Sequence, residues 1–369
     1  MRGLGVGANW AQLNAETSGA EYDLATNGYL YPTATGFNIL SNTGAFNASG
    51  GTYIYIAIRR GPMAVPTDPT KVFSPSALNA PTNGTQITTG FPVDMSIWKD
   101  RSGTGYYGQL QDRLRGLPPN STTTSPVLYP DNINAEDTAQ TGYNYWNTGF
   151  LTLSGENNVW WNFGRAPNFF DVVCYTGTGS ATTVKHNLGV APELIIVKKR
   201  NVPSTTGWLV GATTIGYANK LYLNLTNASS ADSTAWNSTA PTSTVFSVGT
   251  NTDSNASGSI FVAYLFATCP GVSKVGSYTG TGATQTISCG FTGGARFVFI
   301  KRTDSIGDWW VWDTARGMVS GTDPRLALDT ISAETNANWV YTTTGGFQIV
   351  TTDASVNASG GSYIFLAIA

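Results

Sequence analysis

Asn255-Ala-Ser-Gly258, followed by Ile260-Phe-Val-Ala-Tyr-Leu-Phe266, is the stretch that decides the fold, because a close copy of it returns near the end of the chain. The copy reads Asn357-Ala-Ser-Gly360, followed by Tyr363-Ile-Phe-Leu-Ala-Ile368. In each copy a turn-forming cluster precedes a short run of β-branched and aromatic residues, which is the pattern of a β-strand. Every position of the run is apolar, which indicates a strand that is buried on both faces.

Two further motifs repeat in the same order and with nearly the same spacing. Tyr175-Thr-Gly-Thr-Gly179 returns as Tyr278-Thr-Gly-Thr-Gly282, and Leu194-Ile-Ile-Val-Lys-Lys199 returns as Phe297-Val-Phe-Ile-Lys-Arg302. Three separated motifs in one order define two related units of about 95 residues, which lie at about 172–268 and 274–369.

A more diverged unit precedes these two. Met95-Ser-Ile-Trp-Lys-Asp-Arg101 stands where the lysine-containing run belongs, and Asn158-Val-Trp-Trp-Asn-Phe163 stands where the last strand belongs. The first sixty residues match only the second half of a unit, which closes with Asn47-Ala-Ser-Gly50 and Tyr53-Ile-Tyr-Ile-Ala-Ile58. The sequence therefore predicts an all-β chain of tandem antiparallel β-sandwich modules, with about three and a half repeats.

The repeat boundaries divide the chain into five predicted segments. They are a half β-sandwich module (1–62), a proline-rich spacer (63–84), a diverged β-sandwich module (85–170) and two further β-sandwich modules (171–270 and 271–369). The spacer is predicted because Gly61-Pro-Met-Ala-Val-Pro-Thr-Asp-Pro-Thr70 is rich in proline, which fixes φ and cannot donate to a β-ladder.

Composition and charge exclude several classes of protein. The net charge is −2 and the longest basic run is Lys198-Lys199-Arg200, so we expect no nucleic-acid binding, which requires a basic face. No apolar stretch approaches the ~20 residues that cross a bilayer, so we expect no membrane insertion. Cys174, Cys269 and Cys289 form no CxxC pair and no even set, which argues against a disulfide framework or a zinc site.

The residues that could carry catalysis are few. His186 is the single histidine, and its equivalent in the last module is Cys289, so a side chain that fills a pocket beside a turn is favoured over a base or a metal ligand. Asp112 and Asp313 both stand four residues before a glycine, and bracing of a loop explains this repetition at least as well as acid catalysis does. We predict no enzymatic activity, no cofactor and no metal site.

Tryptophan is the residue type best suited to a binding surface. Trp309-Trp310-Val-Trp312 alternates along a predicted strand, so one set of rings lies outside the sheet unless another module or subunit covers it. Exposed tryptophan stacks on sugar rings and also anchors protein interfaces, while a place in the core is the more frequent role. The candidates for ligand or interface contacts are Trp309, Trp310, Trp312, Trp208, Trp160 and Trp161.

Together these motifs resemble a repeated module of tail-fibre and virion structural proteins of phages, chiefly phages of marine bacteria. The resemblance rests on Tyr-Thr-Gly-Thr-Gly, a lysine–arginine strand with an Asp-Trp hairpin, and Asn-Ala-Ser-Gly before an Ile/Tyr-rich strand. It implies a virion component on the particle surface or tail, a fibre or appendage for attachment to the host, with no catalytic residues to carry over. A capsid decoration protein, a glycan-binding lectin and a polysaccharide-degrading spike stay open as alternatives.

The half-module at the start predicts that the chain does not act alone. Residues 1–60 lack counterparts of about 277–315, which leaves unpaired strand edges and an uncovered apolar face along Tyr53 to Ile58. The missing strands could come from a neighbouring subunit, a different virion protein or residues upstream. We expect other virion proteins and further copies of the chain as partners, with a homotrimer as the first expectation and a host-surface glycan as a further candidate.

Overall fold

The fold is all-β, as predicted. The computed structural model describes residues 10–12, 22–24, 30–32, 37–39, 47–56, 64–79, 85–103, 105–116, 125–140, 144–146, 149–151, 157–203 and 207–369. Within these residues the chain forms antiparallel β-sheets and only short helical turns. No helix in this part of the chain is long and apolar enough to cross a bilayer.

The strands group into an N-terminal part and three modules, residues 64–164, 165–268 and 269–369. The N-terminal part contains β1 (Trp10–Gln12), β2 (Tyr22–Leu24), β3 (Leu30–Pro32) and β4 (Phe37–Ile39). The first module contains a 3-10 turn (Pro69–Lys71), β5 (Phe73–Leu78), β6 (Gln86–Thr88), β7 (Met95–Asp100), β8 (Gln109–Asp112), β9 (Ser125–Val127), β10 (Asp137–Gln140), β11 (Asn144–Trp146), β12 (Gly149–Leu151) and β13 (Asn158–Phe163).

The second and third modules repeat this plan with one short helix each. The second contains β14 (Phe170–Thr176), β15 (Thr182–Lys185), β16 (Leu194–Lys199), β17 (Leu209–Ala212), β18 (Asn219–Tyr222), β19 (Ser230–Ala231), β20 (Val245–Val248), a helix (Thr252–Asn255) and β21 (Ile260–Phe266). The third contains β22 (Ser273–Thr279), β23 (Gln285–Ser288), β24 (Phe297–Arg302), β25 (Trp309–Asp313), β26 (Asp323–Ala327), β27 (Thr335–Ala337), β28 (Val340–Thr343), β29 (Gly346–Ile349), a helix (Ala354–Asn357) and β30 (Ser362–Ile368).

Each module is built on a main sheet in which the last strand lies beside the first. The strand orders are β5-β13-β7-β8, β14-β21-β16-β17-β18-β19 and β22-β30-β24-β25-β26-β27. The last strand of each module therefore has a hydrogen-bonded neighbour on both sides, as β30 has β22 and β24. The prediction that the Asn-Ala-Ser-Gly turn leads into a strand over Tyr363–Ile368 that is buried on both faces is confirmed.

Two of the repeated sequence motifs, Tyr278-Thr-Gly-Thr-Gly282 and Asn357-Ala-Ser-Gly360, lie against each other, and this contact is here called the corner of the module. In the third module Asn357 Oδ1 accepts a hydrogen bond from the backbone N–H of Thr281 (2.9 Å), and Gly360 N–H donates to the carbonyl of Gly280 (2.8 Å). A Cβ on Gly280 would lie 2.2 Å from the carbonyl oxygen of Ala358, so this close approach requires glycine. The Thr-Gly-Thr-Gly and Asn-Ala-Ser-Gly motifs repeat together because they contact each other.

One face of each main sheet packs against a smaller sheet of its own module. The smaller sheets are β11-β12-β6, β15-β20 and β23-β29-β28. In the second module Val184 and Phe246 of the smaller sheet share one buried cluster with Ile195 and Phe261 of the main sheet. The predicted sandwich of two antiparallel sheets is this pair of layers.

The opposite face of each main sheet packs into a core that all three modules share. The ring of Phe163 lies 5.8 Å from that of Phe266 and 6.2 Å from that of Phe297, so one phenylalanine from each module meets there. An apolar cavity of about 30 Å³ remains between the three sheets. The apolar strands are buried on both faces because each sheet is covered by its own sandwich and by its neighbours.

Phe73–Leu78 corrects the predicted module boundary. These six residues fall inside the predicted spacer 63–84 but form β5, an edge strand that pairs with β13 and places Pro75 opposite Trp161. Proline is tolerated there because an edge strand needs hydrogen bonds on one side only. The spacer prediction is wrong for these residues, and the first module begins before residue 85; residues 63 and 80–84 lie outside the described part.

The predicted half-module 1–62 is described only in pieces. Strand β1 pairs with β2 and β3 with β4, and a turn follows at 47–50. The strand predicted over Tyr53 to Ile58 is wrong for residues 53–56, which have no strand structure, while 57–58 lie outside the described residues. In the third module the equivalent strand is held between β22 and β24, and residues 1–46 contain no counterpart of these two sequences.

Candidate functional site

Five of the six candidate tryptophans lie in the interior. Trp309, Trp312, Trp208, Trp160 and Trp161 are each no more than 2% exposed. The prediction that they offer a surface to a ligand or a partner chain is therefore wrong, because another module or their own sandwich covers them. The sixth candidate, at position 310, is half-buried and is described below.

Several of these tryptophans act as contacts between modules of one chain. Trp208 Nε1 donates to the carbonyl of Tyr129 in the first module, and Trp309 Nε1, at the equivalent position, donates to the carbonyl of Tyr222 in the second. Both distances are 2.8 Å. The alternation predicted for the strand is present, since Trp309 faces the shared core and its neighbour Trp310 does not.

A buried lysine accompanies each junction between modules. Lys99, Lys198 and Lys301 are at most 1% exposed, and each Nζ donates to a backbone carbonyl of another module. The acceptors are Thr330 for Lys99, Ile133 for Lys198 (2.9 Å) and Thr226 for Lys301 (2.8 Å). Burial lowers the pKa of Lys198 to about 7 and that of Lys301 to about 8. The contacts run second to first, first to third and third to second, which closes the modules into a ring.

A buried network of charged side chains, here called the charge network, lies where the second module meets the first. Asp112 accepts hydrogen bonds from the backbone N–H of Arg115 (2.9 Å) and from Tyr264 Oη (2.7 Å). Glu136 then bridges Arg115 (2.9 Å) and Arg200 (2.8 Å). Burial alone would lower the pKa of Arg115, but the carboxylates of Asp112 and Glu136 raise it well above its ordinary value.

The junction between the first and third modules contains an equivalent charge network. Asp313 accepts from the backbone N–H of Arg316 (2.9 Å) and from Trp161 Nε1 (2.8 Å). Glu334 bridges Arg316 (3.1 Å) and Arg101 (2.7 Å). Each aspartate holds the turn that follows its strand, so the loop-bracing role predicted for the two aspartates is confirmed.

The junction between the third and second modules is uncharged at the same positions. By strand register, Ala212 stands at the position of the aspartate, Ile215 at that of the first arginine and Leu366 at that of the aromatic donor. By backbone contacts, Ser229 stands at the position of the glutamate and Thr303 at that of the second arginine. All five positions differ together, because a single remaining member would be a buried charge or donor without its partner. The charge network is therefore complete at two junctions and absent at the third.

Two aspartates, the half-buried Asp131 and the buried Asp329, have the raised pKa of a general acid but accept hydrogen bonds from the backbone. Asp131 accepts from the N–H of Gly108 (2.9 Å) and Asp329 from that of Trp309 (3.0 Å). Burial raises the pKa of Asp131 to about 6 and that of Asp329 to about 7. In the second module Asn224 accepts the same bond (2.8 Å), so a neutral amide is sufficient for this hydrogen bond.

His186 fills a pocket beside a turn, as predicted. Its Nδ1 accepts from the N–H of Leu188 (3.2 Å), which leaves the proton on Nε2, 3.1 Å from the carbonyl of Thr242. Burial lowers the pKa of this imidazole. The three cysteines are free thiols, and no group of three or more histidine, cysteine, aspartate or glutamate side chains is placed to bind a metal within the described residues.

Trp310 belongs to an aromatic and cationic patch on the outer part of the third module. The guanidinium carbon of Arg325 lies 4.6 Å from the ring of Trp310 and 3.2 Å from that of Trp339. All three side chains are half-buried. Trp310 Nε1 and Arg325 Nη1 make no hydrogen bond within the described part of the chain.

Sequence reasoning missed the buried lysines and the arginine–glutamate contacts. A lysine at the end of an apolar strand in all three modules, and Asp-x-x-Arg-Gly after the next strand in two of them, are the signals that could have pointed to these junctions. Neither signal says which module covers the charge, because that depends on how the modules close.

The fold and its junctions define a class of protein: an all-β chain of three sandwich modules closed around a shared apolar core. The chain belongs to the family described as a domain of unknown function, DUF7483, which matches residues 165–369. This match spans the second and third modules, and the first module precedes it. A search of curated proteins finds no match to the chain.

Proposed function

We propose that this chain is a non-enzymatic structural protein of a phage particle, a tail fibre or appendage that mediates attachment to the host surface. The observation that carries the proposal is the closure of three tandem β-sandwich modules around one core. Buried polar contacts at every junction fix the modules in one arrangement, which suits a rigid building block. The motif resemblance to phage fibre modules supports the same role.

The use of the titratable groups supports a structural role over catalysis. Asp112, Asp313, Asp131 and Asp329 bond arginines or backbone N–H groups of their own modules. A general acid or base must instead reach a substrate proton from an accessible position.

Particle labelling tests this proposal. Antibodies raised against the purified chain are applied to intact particles of the phage that encodes it, and bound antibody is located by immunogold electron microscopy. We expect gold on the tail or its appendages. Gold on the head favours capsid decoration, and unlabelled particles from a lysate that contains the chain contradict the proposal.

Glycan binding is a second candidate, favoured by the half-buried patch of Trp310, Arg325 and Trp339. Tryptophan rings at a surface stack on sugar faces. A glycan array probed with the chain tests it, with Trp310→Ala as the variant and Ile306→Ala, at an exposed loop position outside the patch, as the control. Release of reducing ends from host capsule would instead favour a polysaccharide-degrading spike.

A further inference from the structure

Six loops meet at one end of the ring of modules. They are the hairpins before β8, β17 and β25 and the loops before β10, β19 and β27. The set is here called the loop circle, and its described residues are 101–103, 105–108, 128–136, 200–203, 207–208, 223–229, 303–308 and 328–334.

Hydrogen bonds join these loops into a closed circuit. Across the junctions the N–H of Glu136 donates to the carbonyl of Arg200 (2.7 Å), that of Ser229 to Thr303 (2.8 Å) and that of Glu334 to Arg101 (2.9 Å). Within each module the bonds to Asp131, Asn224 and Asp329 connect the two loops. Because the three junctions repeat one set of backbone contacts, the six loops share one end of the ring.

The loop circle carries most of the exposed apolar side chains of the three modules. Nine large apolar side chains are exposed in the described residues from 64 to 369. A seventh of these nine, Ile260, begins β21 beside the circle and donates its N–H to Asn201 Oδ1 (3.1 Å), and six belong to the circle itself. The six are Tyr106, Tyr107, Ile133, Val202, Ile306 and Ile331. Apolar side chains concentrated at one end of a protein mark an interaction surface.

The charged side chains of the loop circle are engaged within the chain. Its ion pairs are Arg101–Glu334, Arg200–Glu136 and Asp304 with Arg302 at the end of β24. Asp131 and Asp329 accept backbone N–H groups, and the half-buried Asp308 interacts electrostatically with Lys301. A partner of strong single-sign charge therefore finds no set of unpaired opposite charges on this face.

These properties favour a second copy of the chain as the occupant. Two copies that meet through the same face bring identical charges together, which is unfavourable unless those charges are already paired within each copy. The loop circle meets this condition. An interface of standard size takes about 20–30 residues from each partner, and six loops of six to nine residues each supply that number.

We propose that the loop circle is the contact surface of a dimer, in which two copies of this chain meet end to end through the same face. Five of the six loops carry an exposed large apolar side chain, so a twofold arrangement places apolar side chains of one copy against those of the other. Ile306, which is 72% exposed in one chain, is buried in the dimer. The proposal does not rest on a role of the chain in a phage particle.

Sedimentation velocity of the full chain at increasing concentration tests the proposal. We expect a reversible species with twice the 39.1 kDa of one chain. Ile306→Asp should raise the dissociation constant of this dimer at least about tenfold, because a carboxylate without a partner would be buried in an apolar contact.

Val319→Asp is the matched control. Val319 is a further exposed apolar position of the third module, at 52%, but it follows the end of β25 at Asp313, whereas Ile306 precedes the start of this strand. The control should leave the dissociation constant unchanged. Circular dichroism verifies the fold of both variants, which we expect to be intact because both positions are exposed.

A mixing experiment tests whether both copies use the same face. A fluorescently labelled Ile306→Asp chain is titrated with the unlabelled parent chain, and fluorescence-detected sedimentation follows the complex. In a same-face dimer the variant brings its altered surface to every complex, so it binds the parent more weakly than a labelled parent chain does. In a head-to-tail contact the opposite end of the variant is intact, so its affinity for the parent would not change.

Several results would overturn the proposal. They are an assembly larger than a dimer, association that Ile306→Asp does not weaken, equal weakening by Val319→Asp, and binding of the labelled variant as tight as that of the labelled parent. A chain that stays monomeric at every concentration also overturns it and leaves the loop circle to a different protein.

Discussion

Arg316→Ile should lower the free energy of unfolding by about 3–5 kcal/mol, because it breaks the buried ion pair with Asp313 and leaves the aspartate in place. Isoleucine occurs naturally at the equivalent position of the uncharged junction, Ile215, so the replacement has a size and shape that this fold accepts. The perturbation therefore reports the charge rather than the volume of the side chain.

The magnitude follows from what the variant leaves behind. Arg316 bonds Asp313 Oδ2 (2.6 Å), Glu334 Oε2 (3.1 Å) and the carbonyl of Val311 (2.9 Å), and the side chain of Asp313 is 0% exposed. Without the arginine, Asp313 keeps only neutral donors. The double variant Asp313→Ala/Arg316→Ile removes both charges and leaves the buried N–H of Trp161 without its acceptor, which costs about 1–3 kcal/mol.

The double-mutant cycle is therefore the decisive measurement. Guanidinium unfolding followed by tryptophan fluorescence gives the free energy of unfolding of the parent, both single variants and the double variant. We expect the double variant to be no less stable than Arg316→Ile alone, with a coupling of about 2 kcal/mol or more. Asp304→Ala is the control, since its side chain is 39% exposed and surface pairs contribute about 0–1 kcal/mol.

Additive effects would refute the reasoning. If the losses of unfolding free energy of the two single variants sum to that of the double variant within about 0.5 kcal/mol, the charge network does not act as a unit. A loss below about 1 kcal/mol for Arg316→Ile would show that Asp313 is not held in a dry site.

Three further predictions concern pH, the corner and the tryptophans. The free energy of unfolding should rise from pH 7 to 9.5. Folded Lys198, whose pKa is lowered to about 7, has released its proton in this range, whereas an unfolded lysine still binds it. Equilibrium unfolding at stepped pH should show a smaller rise of the free energy of unfolding with pH for Lys198→Met. Gly280→Ala should cost more than about 2 kcal/mol in the same assay, whereas Gly293→Ala, with open space around its Cβ, should stay within about 0.5 kcal/mol. Trp309→Phe should lower the free energy of unfolding by about 1–3 kcal/mol, because the hydrogen bond of Trp309 to another module is lost, and Trp310→Phe should lower it by less. Equal losses would contradict the assignment of the two side chains to opposite faces of the strand.

The strands and turns were readable from the chain because their causes are local. A run such as Tyr363–Ile368 after an Asn-Ala-Ser-Gly turn indicates a buried strand through period and composition, and the structure confirms it. Repetition located the modules for the same reason. The boundary at Phe73–Leu78 was missed because a proline inside an edge strand has the local signature of a spacer.

The candidate site was predicted only in part. Alternation along the strand separated Trp309 from Trp310, since successive side chains of a strand point to opposite faces. Alternation does not tell which face another module covers, so the buried Trp309 and the half-buried Trp310 had equal standing as surface residues.

By itself, therefore, the sequence determined the strands, the turns, the repeat and the alternation of faces. Closure of the ring was decided only by tertiary structure, because it joins residues far apart in the chain. Trp161 and Asp313 are 152 positions apart, and Lys198 reaches the carbonyl of Ile133 across a module boundary. Whether a charged side chain is buried depends on what covers it. In this protein the cover comes from another module, whose position no local pattern encodes.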